Sequence, residues 1–291
     1  MAPLWRDCQA DRVVRRREQG DYDTSAVPGR LDVDSHQPAR NQPTRMDPIE
    51  AVVSHLQSAK AVAAVTGAGI SAASGIPTFR GADGLWKQYR AESLATPEAF
   101  ENDPALVWEW YDWRRGLIAN ARPNRAHEVL AAWTNHPGFT LITQNVDGLL
   151  ERSGAQRVIR LHGSIWHVRC WQPCAAGGDD WRDDNVPLTT IPPRCPHCRG
   201  IVRPAVTWFG EALDHTCFDA AASAASSSDV FLTIGTSALV HPAASLLPLA
   251  KRRGAFTVEI NLEPTGASDL VDVCLHGKAE DVLDRIYYRW Q

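Results

Sequence analysis

The sequence predicts an α/β protein with a doubly wound parallel sheet and a smaller module made of a metal-binding ribbon and a helical insertion. A glycine-rich turn follows a short apolar stretch, and further short apolar stretches end in small or polar residues. Two close cysteine pairs interrupt this alternation. Strands that alternate with helical segments are typical of a parallel sheet, whereas the cysteine segment predicts a separate ribbon.

Length and composition favour one large globular domain, or one domain with a substantial insertion. The chain has 291 residues, of which 44% are hydrophobic and 22% charged. No apolar run approaches the roughly 20 residues that span a bilayer, so we expect no membrane partner. The net charge of −4 argues against nucleic acid as the main partner, because phosphate binding needs clustered Lys and Arg. The cysteine pairs favour metal binding in a reducing compartment, and we expect a cytoplasmic protein.

Residues 1–45 differ from the rest and are rich in Arg, Asp, Gln and Pro. We expect a disordered tail or the product of a mis-assigned start, because organised sequence begins directly after Met46. Asp47, Pro48 and Glu50 form a helix-start pattern. Apolar residues then recur at helical spacing, at Ile49, Val52, Val53 and Leu56.

The turn after the first apolar stretch (residues 61–66) fits a dinucleotide-binding pattern. Residues 67–72 read GAGISA, a G-x-G-x-x-A arrangement between a predicted strand and a predicted helix. Glycine lets the backbone turn tightly and approach a pyrophosphate, whose charge a helix N-terminus favours. Such a turn also occurs without a cofactor. The predicted contacts are Gly67, Ala68, Gly69 and Ser71. No strand ending in Asp or Glu follows about 20 residues later, which argues against a hydride-transfer enzyme.

Further predicted strands end in hydrogen-bonding residues. The predicted strands are Phe139–Thr143, 158–161, Val230–Ile234, 256–260 and 271–275. Four of them are followed by polar or small residues, namely Gln144, Asn145 and Asp147, His162 with its GS neighbours, Gly235, Thr236 and Ser237, and Asn261. Because ligands bind at the carboxyl ends of strands in doubly wound sheets, we expect these residues to converge on one crevice.

The cysteine pairs predict a structural zinc site. Cys170 and Cys174 are followed after twenty residues by Cys195 and Cys198. Four thiolates can close a tetrahedron around Zn²⁺ and leave no position for a substrate. A zinc ribbon can also read DNA, but aspartates at 179, 180, 183 and 184 would repel phosphate. We expect Cys217 and Cys274 to be core residues.

Taken together and in order, these motifs resemble the sirtuin family of NAD-dependent protein-lysine deacylases. The motifs are GAGISAASGIPTFRG, TQNVDGL, LHGS, the two cysteine pairs, WFGE and GTS, between residues 61 and 283. The first cysteine pair is spaced by three residues where many members have two. The resemblance implies that NAD is consumed, that nicotinamide is released, and that the lysine acyl group moves to the ADP-ribose.

The resemblance also implies roles for individual residues. His162 matches the general base that activates a ribose hydroxyl, a task suited to imidazole at neutral pH. The alternative from its own motif is a histidine that caps a strand end. The implied NAD contacts beyond the glycine turn are the covering loop with Phe79, Arg80 and Trp86, the ribose and nicotinamide group Gln144, Asn145 and Asp147, and the adenosine group Gly235, Thr236, Ser237, Asn261, Leu262, Glu263 and Ala279.

The acyl-peptide contacts follow from the same resemblance. The segment with Val206, Trp208, Phe209 and Gly210 matches the strand that pairs with an extended substrate. In one subgroup, matched here by Ala95, Tyr111 and Arg114, the acyl pocket is small-walled and carries a Tyr-x-x-Arg pair. That pair would bind the carboxylate of a succinyl or malonyl lysine, which is costly to bury alone. The alternative is that the arginine stacks on Trp110 or Trp113, or pairs with Glu109 or Asp112.

The leading hypothesis is therefore a monomeric desuccinylase, demalonylase and deacetylase that binds NAD and one structural zinc. The large part would comprise about 46–82, 134–165 and 204–291. The small module would comprise a helical part about 83–133 and a zinc ribbon about 166–203. A protein mono-ADP-ribosyltransferase and a DNA-binding silencing module that uses NAD only as a ligand are the alternatives.

Overall fold

A computed structural model describes residues 47–78, 85–86, 89–174 and 180–290, with the backbone alone at 85 and 86. The predicted tail at 1–45 lies outside the described residues. The described helices are α1 (Pro48–Ser58), α2 (Ala91–Leu94), α3 (Pro97–Asn102), α4 (Pro104–Asn120), α5 (Arg125–Trp133), α6 (Leu149–Arg152), α7 (His215–Ser227), α8 (Leu246–Arg252) and α9 (Ala279–Tyr287).

The described strands fall into three sheets. They are β1 (Val62–Thr66), β2 (Leu85–Trp86), β3 (Tyr89–Arg90), β4 (Phe139–Thr143), β5 (Ile159–Arg160), β6 (Gly163–Cys170), β7 (Trp181–Arg182), β8 (Val202–Val206), β9 (Val230–Ile234), β10 (Phe256–Asn261) and β11 (Val273–His276). The described residues also include three short 3₁₀ helices, Ala68–Ser74, Ala243–Ser245 and Ser268–Leu270.

The main sheet is parallel throughout and has six strands in the order β11-β10-β9-β1-β4-β5. In chain order this is the 3-2-1-4-5-6 arrangement of a Rossmann fold, whose strand order reverses beside the first strand. The reversal point therefore lies between β1 and β9, which pair from Val62 and Val230 to Thr66 and Ile234. The prediction of a doubly wound parallel sheet is confirmed.

Helices cover both faces of this sheet. On one face α1, α5 and α9 pack against β1, β9 and β10, with Ile49, Leu130 and Val282 fully buried. On the other face α7 and α8 pack against the same strands through residues such as Ala221 and Leu246. Every residue of β1 and β9 is buried, as expected for strands covered on two sides.

The start of α1 illustrates how local sequence sets these elements. The Asp47 side chain accepts a hydrogen bond of 3.0 Å from the Ile49 amide, and Pro48 occupies the first helical position. The four apolar residues predicted to share one face, Ile49, Val52, Val53 and Leu56, are all buried. The predicted helix start is therefore confirmed.

A second apolar cluster forms the smaller module. It joins α2, α3 and α4 to the antiparallel sheet β7-β6-β8, with Phe100, Trp108 and Val202 buried in it. The cluster's helical members end at Ala121, whereas the sequence places the end of the helical part near residue 133. The difference arises because α5 is amphipathic and packs its apolar face on the main sheet.

Within the described residues, each helix is too short or too polar to cross a membrane.

Candidate functional site

A cavity of about 610 Å³ opens at the carboxyl ends of the main-sheet strands, beside the β1/β9 reversal point. Most of the predicted site residues line it. From the cofactor group these are Gly67, Ala68, Gly69, Ser71, Gln144, Asn145, Asp147, Gly235, Thr236, Ser237, Asn261, Leu262 and Glu263. From the catalytic and substrate groups they are His162, Ala95, Tyr111, Arg114, Val206, Trp208 and Phe209.

Five predicted residues are not placed in the cavity wall. Gly210 lies between the wall residues Phe209 and Glu211 in the WFGE turn (residues 208–211) and has a φ of +87°. Ala279 is buried at the start of α9. Phe79, Arg80 and the side chain of Trp86 lie outside the described residues, so their predicted contact with the cofactor stays a prediction.

The glycines of the first turn are needed for contact with a second loop of the protein itself. A Cβ atom on Gly69 would lie 2.7 Å from Gly235 Cα, and one on Gly67 would lie 2.8 Å from Gly235 O. The Gly69 amide donates to Gly235 O at 2.8 Å, and Gly235 has a φ of +59°. The pattern therefore brings two loops together at the strand reversal, a reason that differs from the pyrophosphate approach predicted for glycine.

The polar residues at the strand ends are bound to one another. Gln144 Nε2 donates to Thr236 Oγ1 at 2.9 Å, and Asn261 Nδ2 donates to Thr236 O at 3.2 Å. Asn145 Nδ2 lies 3.1 Å from Gly67 O. These bonds hold the ends of β1, β4, β9 and β10 in a fixed relation, so the cavity wall is pre-organised.

A directed chain of hydrogen bonds ends at the buried carboxylate of Asp147. The backbone amide of Asn124 donates to His127 Nδ1 at 3.2 Å, so Nδ1 accepts and the proton of the neutral ring is on Nε2. His127 Nε2 then lies 3.3 Å from Ser71 Oγ, and Ser71 donates to Asp147 Oδ2 at 2.8 Å. Burial raises the pKa of Asp147, and burial lowers the pKa of His127 to about 4.

His127 has no place in the sequence predictions, although one signal could have found it. It occupies the third position of α5 and forms a reciprocal cap with Asn124, whose side chain accepts from the first turn of the helix. A histidine in that position can present its second nitrogen to the residues in front of the helix. The preceding motif around Ser71 is 56 residues away, so the contact itself needs the fold.

His162 is poised with one ring nitrogen fixed. Its Nδ1 lies 3.0 Å from Gln144 O, and because a carbonyl only accepts, Nδ1 carries the proton and Nε2 keeps a lone pair. Burial lowers the pKa of His162, while the bond to Gln144 acts in the opposite direction. The imidazole is therefore neutral at pH 7 and can accept a proton in the cavity.

Tyr111 and Arg114 both reach the cavity from one face of α4. Arg114 also lies over the Trp110 ring, 5.1 Å from its centroid. Arg114 therefore stacks on Trp110, as the alternative from the sequence predicted, and also lines the cavity. Burial raises the pKa of Tyr111 to about 12, so its hydroxyl stays protonated at neutral pH.

The WFGE turn is held by an arginine that the sequence analysis did not single out. Arg203 on β8 is 4% exposed and donates to Glu211 through Nη1 at 2.5 Å and through Nη2 at 2.8 Å. Glu211 Oε2 in turn accepts the Trp208 amide at 2.8 Å. On the far side, the Trp208 indole Nε1 donates to Tyr111 Oη at 2.8 Å.

The four paired cysteines form a second candidate site in the smaller module. Their sulfur atoms lie within 4.8 Å of one another, and Cys170 Sγ is 3.5 Å from Cys174 Sγ and 3.8 Å from Cys198 Sγ. A tetrahedral Zn²⁺ with bonds of about 2.3 Å places its sulfur ligands about 3.8 Å apart. The four thiolates thus fit a structural zinc, and the wider spacing of the first pair does not prevent the cluster from forming.

A buried ion pair joins the zinc ribbon to α4. Arg115 is fully buried, donates to Ile165 O at 2.9 Å and pairs with Asp183 at 3.2 Å. The sequence interpretation of Asp183 as a group that repels phosphate overlooked this role, because the partner lies 68 residues away. Of the two remaining cysteines considered as core, Cys274 is buried and Cys217 only half-buried.

Comparison with known proteins gives consistent matches. Residues 67–242 match the model of the Sir2 family. An "NAD-dependent protein deacylase" of Aquifex aeolicus is 48% identical over 227 residues, covering 78% of this chain and 93% of that protein. An "NAD-dependent protein deacylase 1" of Caldanaerobacter subterraneus is 53% identical over 207 residues, covering 70% and 83% respectively.

The fold has close counterparts among solved structures. A complex of a Sir2 homologue with NAD superposes with a TM-score of 0.79 at 43% identity, covering 84% of this chain and 94% of that one. A complex of a Sir2 mutant with a p53 peptide and NAD gives a TM-score of 0.73 at 26% identity, covering 82% and 97%. The resemblance seen in the motifs is confirmed, and the chain belongs to the Sir2 family.

Proposed function

We propose that this protein removes acyl groups from protein lysines with consumption of NAD, and that it prefers acyl groups that end in a carboxylate. The curated relatives described above carry the name of NAD-dependent protein deacylases. One observation supports the proposal most: a single cavity is lined by the glycine turn, by His162 and by Tyr111 with Arg114. The residues proposed to hold the nucleotide, to act as the general base and to bind an acyl carboxylate thus line the same cavity.

The nucleotide would be held by the loops that follow β1, β4, β9 and β10. Backbone amides and amide side chains of Gln144, Asn145 and Asn261 offer donors and acceptors for ribose and adenosine groups. Bound NAD supplies the ADP-ribose that accepts the acyl group. The buried carboxylate of Asp147, held by Ser71, offers an acceptor for a carboxamide N–H.

His162 would act as the general base. Nδ1 is anchored on Gln144 O, so Nε2 accepts the proton of a sugar hydroxyl while the ring keeps its orientation. Burial lowers the pKa of His162 and keeps the imidazole in its neutral, proton-accepting form. This geometry favours a catalytic histidine over the strand-end cap considered from the sequence.

The acyl end would bind through Ala95, Tyr111 and Arg114. Ala95 is buried and small, and its carbonyl also accepts the Phe209 amide at 2.9 Å, which ties the pocket wall to the WFGE turn. A guanidinium and a protonated phenol offer charge-assisted donors to a carboxylate. Burial lowers the pKa of Arg114, and the guanidinium remains charged because its ordinary pKa is far above 7.

The peptide would lie along the segment that contains Val206, Trp208, Phe209 and Gly210. Phe209 is 38% exposed, which leaves an aromatic surface beside the turn for the backbone of an extended chain. No chemical step is assigned to the zinc, whose expected role is to hold the ribbon together.

A panel of acetyl, malonyl, succinyl and glutaryl peptides with NAD tests the proposal. We expect equimolar nicotinamide and deacylated peptide by mass spectrometry, and a larger kcat/KM for the acidic acyl groups. Peptide or protein that gains ADP-ribose without losing its acyl group would favour the mono-ADP-ribosyltransferase alternative. Equal kcat/KM for acetyl and succinyl peptides would contradict the acyl preference alone.

We also propose that the protein acts as a monomer in the cytoplasm and without nucleic acid. Light scattering during size-exclusion chromatography tests the first statement, and fractionation of native cells tests the second. A salt-dependent mobility shift of duplex DNA would contradict the third and favour the silencing-module alternative.

A further inference from the structure

Trp208 is fixed from two sides by the arginine–glutamate pair of the WFGE turn. Arg203 lies over the indole with its Cζ 3.5 Å from the ring centroid, and Glu211 binds the Trp208 amide. Burial acts to raise the pKa of Glu211, but the bonds from Arg203 and Trp208 outweigh it and hold the pKa below its ordinary value. Glu211 therefore stays ionised, and the pair persists at neutral pH.

The fixed indole determines how the Tyr111 hydroxyl can be oriented. Trp208 Nε1–H can only donate, so at 2.8 Å it occupies a lone pair of Tyr111 Oη. The phenolic proton must then point away from the indole. Tyr111 is 2% exposed and contributes to the wall of the cavity, which is where a substrate's acyl end would approach.

We propose that Arg203 is a positioning residue for acyl selectivity, acting through Glu211 and Trp208 on the direction of the Tyr111 hydroxyl. Arg203 itself does not line the cavity, so it would not touch the substrate. Arg203 and Glu211 hold the indole N–H of Trp208 on one side of Tyr111 Oη. The phenolic proton then points to the opposite side, where it can bind a carboxylate. This inference rests on the proposed acyl preference.

Arg203→Lys offers the cleanest test because lysine keeps the positive charge but lacks the planar fork and the stacking surface. We expect the ratio of kcat/KM for succinyl peptide to kcat/KM for acetyl peptide to fall about fivefold, because a misdirected phenol loses part of its charge-assisted hydrogen bond to the carboxylate. A merely structural role would lower both values together and leave the ratio unchanged. The melting temperature and the Kd for NAD report whether the variant is folded.

A double-mutant cycle with Tyr111→Phe tests whether the effect of Arg203 on the ratio passes through the Tyr111 hydroxyl. Tyr111→Phe alone should lower the ratio, and Arg203→Lys in that background should lower it no further. An equal fall in both backgrounds would overturn the inference, because the effect would bypass Tyr111. An unchanged ratio in Arg203→Lys with a lowered ratio in Tyr111→Phe would overturn it while leaving the proposed function intact.

A wild-type protein that does not prefer succinyl peptide would overturn the acyl preference and this inference together. If Arg203→Lys fails to fold, Glu211→Gln carries the same cycle, since the amide keeps the size of the side chain but loses the charge that binds Arg203. The same two outcomes, coupling or no coupling with Tyr111→Phe, then decide the question.

Discussion

The two ends of the cavity are built in different ways. The nucleotide end consists of strand-end loops whose backbone and amide groups bind one another, as Gln144 and Asn261 do with Thr236. The end proposed to bind the acyl group, the acyl end, consists of side chains from the helical insertion and the WFGE turn, with Tyr111 and Trp208 joined by one hydrogen bond. Under the proposed function, cofactor binding depends on the sheet, whereas acyl selectivity depends on a few side chains that can change while the sheet stays the same.

The largest expected effect is on catalysis and leaves binding at the nucleotide end unchanged. His162→Phe should reduce kcat by about 10³-fold or more, because general-base catalysis contributes roughly 10²–10⁴-fold. The Kd for NAD and the melting temperature should stay close to those of the wild type, as His162 lies at the cavity wall without an ion pair among the described residues. Turnover within tenfold of the wild type would remove His162 from the mechanism.

Loss of the zinc should unfold the ribbon, and this should disturb the acyl end of the cavity more than the nucleotide end. Cys195→Ser removes a buried ligand of the cluster, and zinc ligation contributes folding free energy directly. We expect loss of bound zinc by elemental analysis and loss of deacylation. A variant that contains no zinc and keeps full activity would show that the ribbon is dispensable.

Arg115 provides the structural counterpart of its neighbour Arg114. Arg115→Met leaves Asp183 without its buried partner and should lower the free energy of unfolding by about 3–5 kcal/mol. Urea denaturation measures the change, and activities toward succinyl and acetyl peptides should fall in the same proportion. A selective loss of succinyl activity would mean that Arg115, rather than Arg114, serves the acyl end.

His127, which supports Asp147 through Ser71 at the nucleotide end, should make the free energy of unfolding fall at acid pH. The folded pKa of His127, about 4, lies below the ordinary value of 6.5, so the unfolded state binds the proton more readily. The contribution to stability is constant above pH 6.5 and falls by about 3 kcal/mol between pH 6.5 and 4. His127→Gln should flatten this part of the stability curve measured by denaturation, and an unchanged slope would contradict the assignment.

The sequence predicts the central strands of the main sheet better than its edge strand and its turns, for a physical reason. Strands Phe139–Thr143 and Val230–Ile234 are found at their predicted bounds, because both are short apolar runs within the covered sheet. The stretch 158–161 forms only the two-residue strand Ile159–Arg160 at the sheet edge. The predicted helix after the glycine turn is a 3₁₀ helix, Ala68–Ser74.

Contacts between distant elements lie beyond any local pattern. The bond between Trp208 and Tyr111 joins residues 97 apart, and the pair of Arg115 and Asp183 joins residues 68 apart. The Tyr-x-x-Arg spacing on α4 correctly predicts that both side chains share a face. Helical spacing alone would also admit Arg115, four residues after Tyr111, but the predicted residue Arg114 is the one that lines the cavity. Arg115 instead points to the ribbon and pairs with Asp183.

The acyl preference is tested most directly by kcat/KM of Arg114→Met for succinyl and acetyl peptides. Loss of a charge-assisted hydrogen bond, about 1.5–3 kcal/mol, should lower the value for succinyl peptide roughly 10- to 150-fold. The value for acetyl peptide should stay within about threefold of the wild type, because an acetyl group carries no charge for the guanidinium to bind. An equal fall for both peptides would contradict the account and reduce Arg114 to a packing partner of Trp110.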